Sequence, residues 1–258
     1  MSGSDDVVRF DVSDGIAIIT ICRQEVRNAV DHRVAAGLEA ALDTIDADDR
    51  IRVAVIAGDG SYFCSGADLK MIAEGTVTAM TDRGGFAGVV ERQRQTPLIA
   101  AVEGGALAGG LEIVLACDLV VAGSSASFGI PEVKRGLVAG GGGLVRLPHR
   151  IPRNVAMELA LLGEPITAGR AHALGLVNVI ADDGRALETA RALAVDIAAN
   201  PSVAVRESRS VVEASADLGE AAGWESNARA MAVVQASADF IEGPRAFVDK
   251  RPPRWDAD

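Results

Sequence analysis

The sequence predicts an α/β domain followed by a helical C-terminal part. Short β-branched runs such as residues 15–21 alternate with segments whose apolar residues recur at helical spacing. From about residue 184 onward nearly the whole pattern is helical, with breaks expected near Pro201 and Gly243. The chain is 49% hydrophobic but only 3% aromatic, so its core is expected to be aliphatic. We place the core domain at residues 1–198 and the helical subdomain at residues 199–258.

The elements follow in order along the chain. The segment 31–48 has helical spacing, and residues 108–117 form a short helix after a glycine-rich stretch. Pro152 suits the first position of a later helix, and Gly163 suits its end. Apolar runs predict the strands, at residues 15–21, 51–57, 98–102, 118–122 and 175–180.

Charge and composition exclude several classes of protein. The net charge of −11 argues against a nucleic-acid-binding protein or an anionic-membrane surface. The longest apolar stretch, residues 104–122, contains Glu112 and Asp118, whereas a membrane helix needs about 20 nearly uncharged residues. The first ten residues lack the pattern of a signal peptide, and the three cysteines lack metal-ligand spacing. We expect a soluble, cytoplasmic protein with no metal site.

Two glutamates stand in unusual surroundings. Glu112 is the only charge between Gly104 and Cys117, and burial there would raise its pKa, as a general acid or base near neutral pH requires. Glu132 follows Pro131 at the start of a possible helix, where it would complement the helix dipole. For Glu112 an ion pair or a solvent-facing position stays open, and for Glu132 a pair with Lys134 or Arg135.

Two glycine-containing segments are candidates for parts of a functional site. In SYFCSGADLK, residues 61–70, Cys64 and Ser65 beside Gly66 suggest a nucleophile on a tight turn. A hydrolase is disfavoured because none of the three histidines, His32, His149 and His172, lies in a site-like segment. In ALAGGLE, Gly109 and Gly110 begin a predicted helix, whose free N–H groups suit developing negative charge or simply close packing. The run at 139–143 lacks the ending of a phosphate-binding P-loop.

Three motifs in this order resemble the crotonase family, the enoyl-CoA hydratases and isomerases. They are YFCSGADLK, VEGGALAGGLEIVLACDLVVA and ASFGIPEVKRGLVAGGGGLVRLP, and the similarity extends to ITAGRAHALGLVNVI and GPRAFVDKRPPRW. The resemblance implies a crotonase-like (ClpP/crotonase) spiral of βα units. It also implies a helical C-terminal part that drives assembly into a trimer, often a dimer of trimers.

The resemblance also implies a site and an activity. Glu112 and Glu132 match the two hydratase glutamates, and the backbone N–H groups of Ala67 and Gly109 match the oxyanion hole for the thioester carbonyl. The implied reaction is hydration of a 2-enoyl-CoA of the fatty-acid β-oxidation type, a lyase reaction without any cofactor beyond the coenzyme A of the substrate. Because isomerases typically lack the first glutamate, both glutamates together favour hydration.

The same resemblance implies where coenzyme A binds. Lys70 matches a lysine near the nucleotide, and Arg23 and Arg27 lie in a loop similar to the adenine-side loop. Phe247 and Lys250 match a pair that reaches the ligand from the C-terminal helices. The neighbours of these residues and of Ala67 complete the expected acyl-CoA contacts: Val26, Ser65, Asp68 and Leu69. Asp68 is also expected to hold its turn or to cap the next helix.

Some positions depart from the common pattern of the family. The adenine-side loop reads Cys22-Arg23-Gln24, and alanine replaces glycine at Ala108 and proline at Ala139. The alanine at 139 recurs in relatives of the carnitinyl or crotonobetainyl type. The alternatives are therefore an enoyl-CoA isomerase, a carnitinyl- or crotonobetainyl-CoA hydratase, and a non-catalytic acyl-CoA-binding or scaffold protein.

Overall fold

The computed structural model describes residues 7–75 and 79–255, except for the side chain of residue 217. Its strands are β1 Val8–Ser13, β2 Ile16–Ile21, β3 Val53–Gly58, β4 Met80–Thr81, β5 Gly85–Phe86, β6 Leu98–Val102, β7 Gly105–Leu107, β8 Leu119–Gly123, β9 Ser127–Gly129, β10 Ile166–Thr167 and β11 Val179–Ala181. Its helices are α1 His32–Ala47, α2 Leu69–Ala73, α3 Gly109–Ala116, α4 Gly143–Arg150, α5 Arg153–Leu162, α6 Ala168–Ala173, α7 Ala186–Ala198, α8 Ser202–Leu218, α9 Glu220–Ala236 and α10 Asp239–Val248. Short 3₁₀ helices span Gln24–Val26 and Pro131–Arg135.

The main sheet has six strands in the order β1-β2-β3-β6-β8-β11. The first two strands form an antiparallel hairpin, and the other neighbours pair in parallel. A smaller sheet has the strand order β10-β9-β7, and its strand β7 lies in the glycine-rich stretch after β6. Parallel strands joined through helices confirm the predicted α/β class.

Aliphatic side chains on the two faces of β3 show why the core needs few aromatic residues. Ala54 and Ile56 pack into the larger core with α1 and α3, whereas Val53 and Val55 face α7. The fully buried side chains that α7 presents to the sheet are the small ones of Ala186, Ala190 and Ala194, and Leu193 and Ile197 pack at the edge of this contact. Alternate residues of a strand point to opposite faces, so a continuously apolar strand fits between two helical layers.

The breaks in the helical C-terminal part agree with the prediction at Pro201 and differ from it elsewhere. The chain turns at Pro201, as expected, but Gly243 lies inside α10. The further breaks fall at Gly219, whose φ of 87° suits glycine, and at Ser237. Helix α7 packs on the sheet, and α8 packs on α9. The division at residue 198 itself stays a prediction.

Smaller differences have local causes. The strand expected at 175–180 is shortened to β11, because Gly175 adopts a φ of 85° in the preceding turn. Pro152 caps α5 rather than occupying its first position. No helix in the described ranges is long and apolar enough to cross a membrane. The signal-peptide prediction concerns residues 1–10, of which 1–6 lie outside the description.

Candidate active site

A cavity of about 450 Å³ collects most of the predicted site residues. Its two carboxylates, Glu112 and Glu132, come from α3 and the 3₁₀ helix after β9. Other lining residues come from the loop after β2, from the turn before α2 and from the start of α2. The predicted residues among them are Val26, Arg27, Ser65, Ala67, Asp68, Leu69 and Lys70.

The turn around Ala67 is fixed by backbone hydrogen bonds to the loop after β2. The N–H of Val30 donates to the Gly66 carbonyl over 2.8 Å, and the N–H of Asp68 donates to the Val30 carbonyl over 2.9 Å. This pairing leaves the Ala67 N–H between them without an acceptor among the described residues. Asp68 caps α2 by accepting from the Lys70 N–H, as predicted.

A second unpaired donor lies beside this turn. Gly109 begins α3, so its N–H has no partner within the helix, nor with any other described residue. A Cβ added to Gly66 would lie 2.9 Å from the Gly109 nitrogen, which shows how closely the turn and the helix start approach. Ala108, the cap of α3, lines the cavity at φ 52° and ψ −128°, a strained conformation for any residue except glycine.

Glu112 is held by the glycine run rather than by a cation. Its side chain accepts a hydrogen bond from the Gly143 N–H over 2.9 Å, and the residue is only 3% exposed. Burial raises the pKa of Glu112, while the backbone hydrogen bonds from Gly143 and Gly141 and the charge of Arg146 partly oppose this rise. The ion-paired and solvent-facing alternatives are therefore wrong.

Glu132 lies in the 3₁₀ helix with one carboxylate oxygen buried and unpaired within the described structure. Burial raises the pKa of Glu132 to about 7, and the nearby Glu112 acts in the same direction. Neither neighbouring cation pairs with it: Lys134 binds Glu164, and Arg135 forms no ion pair with a described residue. The two carboxyl groups interact, so they titrate as a pair.

The raised pKa of Glu132 makes the free energy of unfolding depend on pH. The folded chain binds the Glu132 proton more tightly than the unfolded chain, so this group's contribution to stability falls as pH rises from about 4.5 to about 7. We expect Glu132→Gln to raise the free energy of unfolding at pH 8 by about 1–2 kcal/mol, allowing for solvent at the site, and by much less at pH 5. Urea unfolding at both pH values measures this, with exposed Glu91→Gln as the control. An equal effect at both pH values would contradict it.

The basic residues near the cavity play different roles. Arg27 and Lys70 are exposed and line it, and the Arg27 guanidinium lies 5.8 Å from the centre of the Tyr62 ring. Arg23, by contrast, is buried, and donates to the Ala29 carbonyl over 2.6 Å and to Asp68 over 3.1 Å. Arg23 therefore braces the loop through these contacts, and its place near the nucleotide stays a prediction.

The side chains of Cys64 and Ser65 do not form a nucleophilic site. Burial raises the pKa of the Cys64 thiol to about 12, which keeps it protonated. The Ser65 hydroxyl donates to the Val26 carbonyl over 3.3 Å. No histidine is among the described residues that line the cavity, so neither side chain has the base that a hydrolase requires.

The comparisons with known proteins agree with this geometry. Residues 11–258 match the family model described as enoyl-CoA hydratase/isomerase. The chain belongs to this family.

The enoyl-CoA hydratase EchA19 of Mycobacterium tuberculosis is 38% identical, with 92% of each chain covered. A crystal structure of an enoyl-CoA hydratase from M. tuberculosis H37Rv is 47% identical, with a TM-score of 0.93 over 98% of this chain and 100% of the other. A carnitinyl-CoA hydratase from Mycobacterium avium is 41% identical, with a TM-score of 0.79 over 99% and 100%. These neighbours confirm the crotonase fold.

Two residues expected at the site of this enoyl-CoA hydratase/isomerase family member lie elsewhere. Phe247 is near the end of α10 and Lys250 follows it, and neither lines the cavity of their own chain. Phe247 is 85% exposed. Their contact with acyl-CoA stays a prediction.

Sequence reasoning missed several contributors to the site. Gly141 and Gly143 pack against Glu112, where an added Cβ would lie 2.6 Å and 3.0 Å from its carboxylate oxygens. The glycine run was itself the signal, since it predicts a site built from backbone. Arg135 also lines the cavity, although its sequence position suggested only a partner for Glu132. Tyr62 lies beside Arg27 and gave no comparable signal.

Proposed function

We propose that this chain is an enoyl-CoA hydratase that reversibly adds water across the 2,3 double bond of a 2-enoyl-CoA. The observation that carries the proposal is that Glu112 and Glu132 line one cavity with a turn that presents the unpaired N–H of Ala67, close to that of Gly109. Both charge stabilisation and proton transfer are then available at one place. We further propose that no cofactor is needed beyond the coenzyme A of the substrate.

The two N–H groups would act on the thioester carbonyl. Attack of water at C3 moves electrons through C2 onto the carbonyl oxygen, which gains negative charge in an enolate-like transition state. Two donors held by the Val30 pairing and by the start of α3 stabilise this charge without reorganising. Each such donor contributes about 3–4 kcal/mol in comparable sites.

The two glutamates would handle the protons of the added water. In its ionised form Glu112, held by Gly143, can accept a proton as the water oxygen bonds to C3. Protonated Glu132 can deliver a proton to C2, and its pKa of about 7 keeps both protonation states populated near neutral pH. One carboxyl group gains the proton that the other loses, so the pair returns to its starting state when a proton passes between them.

The nucleotide of coenzyme A would lie towards Arg27 and Lys70, two exposed cations that line the cavity. We propose that copies of the chain assemble as a trimer or a dimer of trimers, so that Phe247 and Lys250 can reach an acyl-CoA from the C-terminal helices. Exposed apolar side chains on α8–α10 support such an assembly: Val212, Leu218, Trp224, Phe247 and Val248. Light scattering would test it, and a monomeric mass would contradict it. The cytoplasmic location is part of the same proposal.

The decisive experiment follows the ultraviolet absorbance of the conjugated enoyl thioester, which disappears on hydration. Purified protein is mixed with straight-chain 2-enoyl-CoAs of increasing length, and we expect the absorbance to fall with at least one of them. A Cys64→Ala, Ser65→Ala double variant should retain activity. Movement of a 3,4 double bond into conjugation without hydration would favour an isomerase. Acyl-CoA binding without turnover would favour a non-catalytic protein.

A further inference from the structure

A third charged group lines the cavity beside the two glutamates. Arg135 ends the 3₁₀ helix that begins at Pro131 and carries Glu132. Residues three apart in a 3₁₀ helix eclipse one another, and a rise of about 2 Å per residue separates them by about 6 Å along the helix. Arg135 therefore projects from the same side of the helix as Glu132, one turn further on.

Arg135 is an exposed residue, and its guanidinium has no partner among the described residues. It forms no hydrogen bond or ion pair with any described residue, although the residue before it, Lys134, pairs with Glu164 outside the cavity. Arginine stays charged at all physiological pH values and offers several donors in a plane that matches a carboxylate. A cavity-lining arginine without a protein carboxylate is available to an anionic group of a ligand.

The position of Arg135 indicates which part of the ligand it meets. Arg27 and Lys70, proposed above to meet the phosphates of coenzyme A, come from the loop after β2 and the start of α2. Arg135 instead lies in the same 3₁₀ helix as Glu132, and the apolar residues Leu137 and Val138, which follow it in the chain, also line the cavity. Methylene groups beyond the reacting carbons would suit these two side chains.

We propose that Arg135 selects 2-enoyl-CoA substrates whose acyl chain carries a carboxylate beyond C3. This inference rests on the hydratase function proposed above. Glu112 and Glu132 would repel such a carboxylate, and a direct ion pair with the Arg135 guanidinium more than offsets that repulsion. A cationic acyl chain, as in crotonobetainyl-CoA, would meet a like charge, and an alkyl chain would gain nothing from the guanidinium.

A series of three substrates that differ at one substituent, which is negative, neutral or positive, tests the inference. Glutaconyl-CoA, 2-pentenoyl-CoA and crotonobetainyl-CoA carry on C4 a carboxylate, a methyl group and a trimethylammonium group. We expect kcat/KM to fall in that order, with the carboxylate favoured over the methyl group about twofold to fivefold, the scale of a partly solvated ion pair. Arg135→Leu should abolish this preference and Arg135→Lys should keep part of it. Lys134→Leu, which removes a neighbouring charge outside the cavity, should keep all of it.

The outcomes separate this inference from the proposed function. Hydration of 2-pentenoyl-CoA with no preference for glutaconyl-CoA would overturn the role of Arg135 and leave the hydratase function standing. An equal rise in KM for all three substrates in Arg135→Leu would also overturn it, because the guanidinium would then contact the coenzyme A phosphates. If no straight-chain or charged 2-enoyl-CoA is hydrated, both proposals fall.

Discussion

Glu112→Gln and Glu132→Gln should each lower the rate of hydration at least about 100-fold, the usual scale for a general acid or base. Glutamine keeps the shape of each side chain and can still accept the Gly143 hydrogen bond at position 112. It cannot accept a proton from water or deliver one to C2. The double variant should be only slightly slower than the slower single variant, since the two groups act as a unit.

Stopped-flow absorbance with saturating 2-enoyl-CoA measures this loss as kcat. Circular dichroism and the apparent affinity for a 3-hydroxyacyl-CoA show whether the fold and the binding site are retained. The exposed Glu91→Gln serves as the matched control and should hydrate at the parent rate. Parental turnover in either glutamate variant would exclude the two-carboxylate mechanism.

Gly66→Ala should lower kcat by about 100-fold to 1,000-fold, because it displaces the two backbone donors together. Gly66 has a φ of 94°, and an added Cβ would lie 2.7 Å from the Ala108 side chain and 2.9 Å from the Gly109 nitrogen. The turn or the start of α3 must then move. The strained φ adds a stability cost of about 1–3 kcal/mol.

A glycine elsewhere in the chain provides the control for this variant. Gly169 lies in α6 with nothing within 4 Å of an added Cβ and has no positive φ. Gly169→Ala should therefore keep the parental turnover, with a melting temperature equal to that of the parent or slightly higher. The Gly66→Ala protein must be shown to be folded by its melting transition. If it is folded and turns over at the parent rate, the backbone donors are not the oxyanion hole.

The strands and the general position of the site could be predicted, because both depend on local pattern. Apolar runs such as residues 98–102 become buried strands wherever two helical layers cover the sheet. Glu112 stood out as one charge in an apolar segment, and its burial confirms that reasoning. The motif resemblance then related Glu112 to Glu132 and to the turn at Ala67, which lie far apart in sequence.

Long-range partners could not be predicted in the same way. Nothing local to Arg23 indicates that its guanidinium contacts Asp68, 45 residues later. Likewise, the hydrogen bond between Glu112 and Gly143 spans 31 residues and depends on how α4 packs on α3. The helix break at Ser237 was missed because no proline or glycine marks it.

The hydrogen bonds between the loop after β2 and the turn at Ala67 make the two segments mechanically one unit. The Ser65 N–H donates to the Arg27 carbonyl over 3.0 Å, and Arg23 ties the same loop to Asp68. A nucleotide bound at Arg27, as proposed above, would therefore act on the backbone that carries the Ala67 N–H. The remote end of a large ligand can in this way align the reacting carbonyl, so that binding energy gained far from the double bond serves the chemical step.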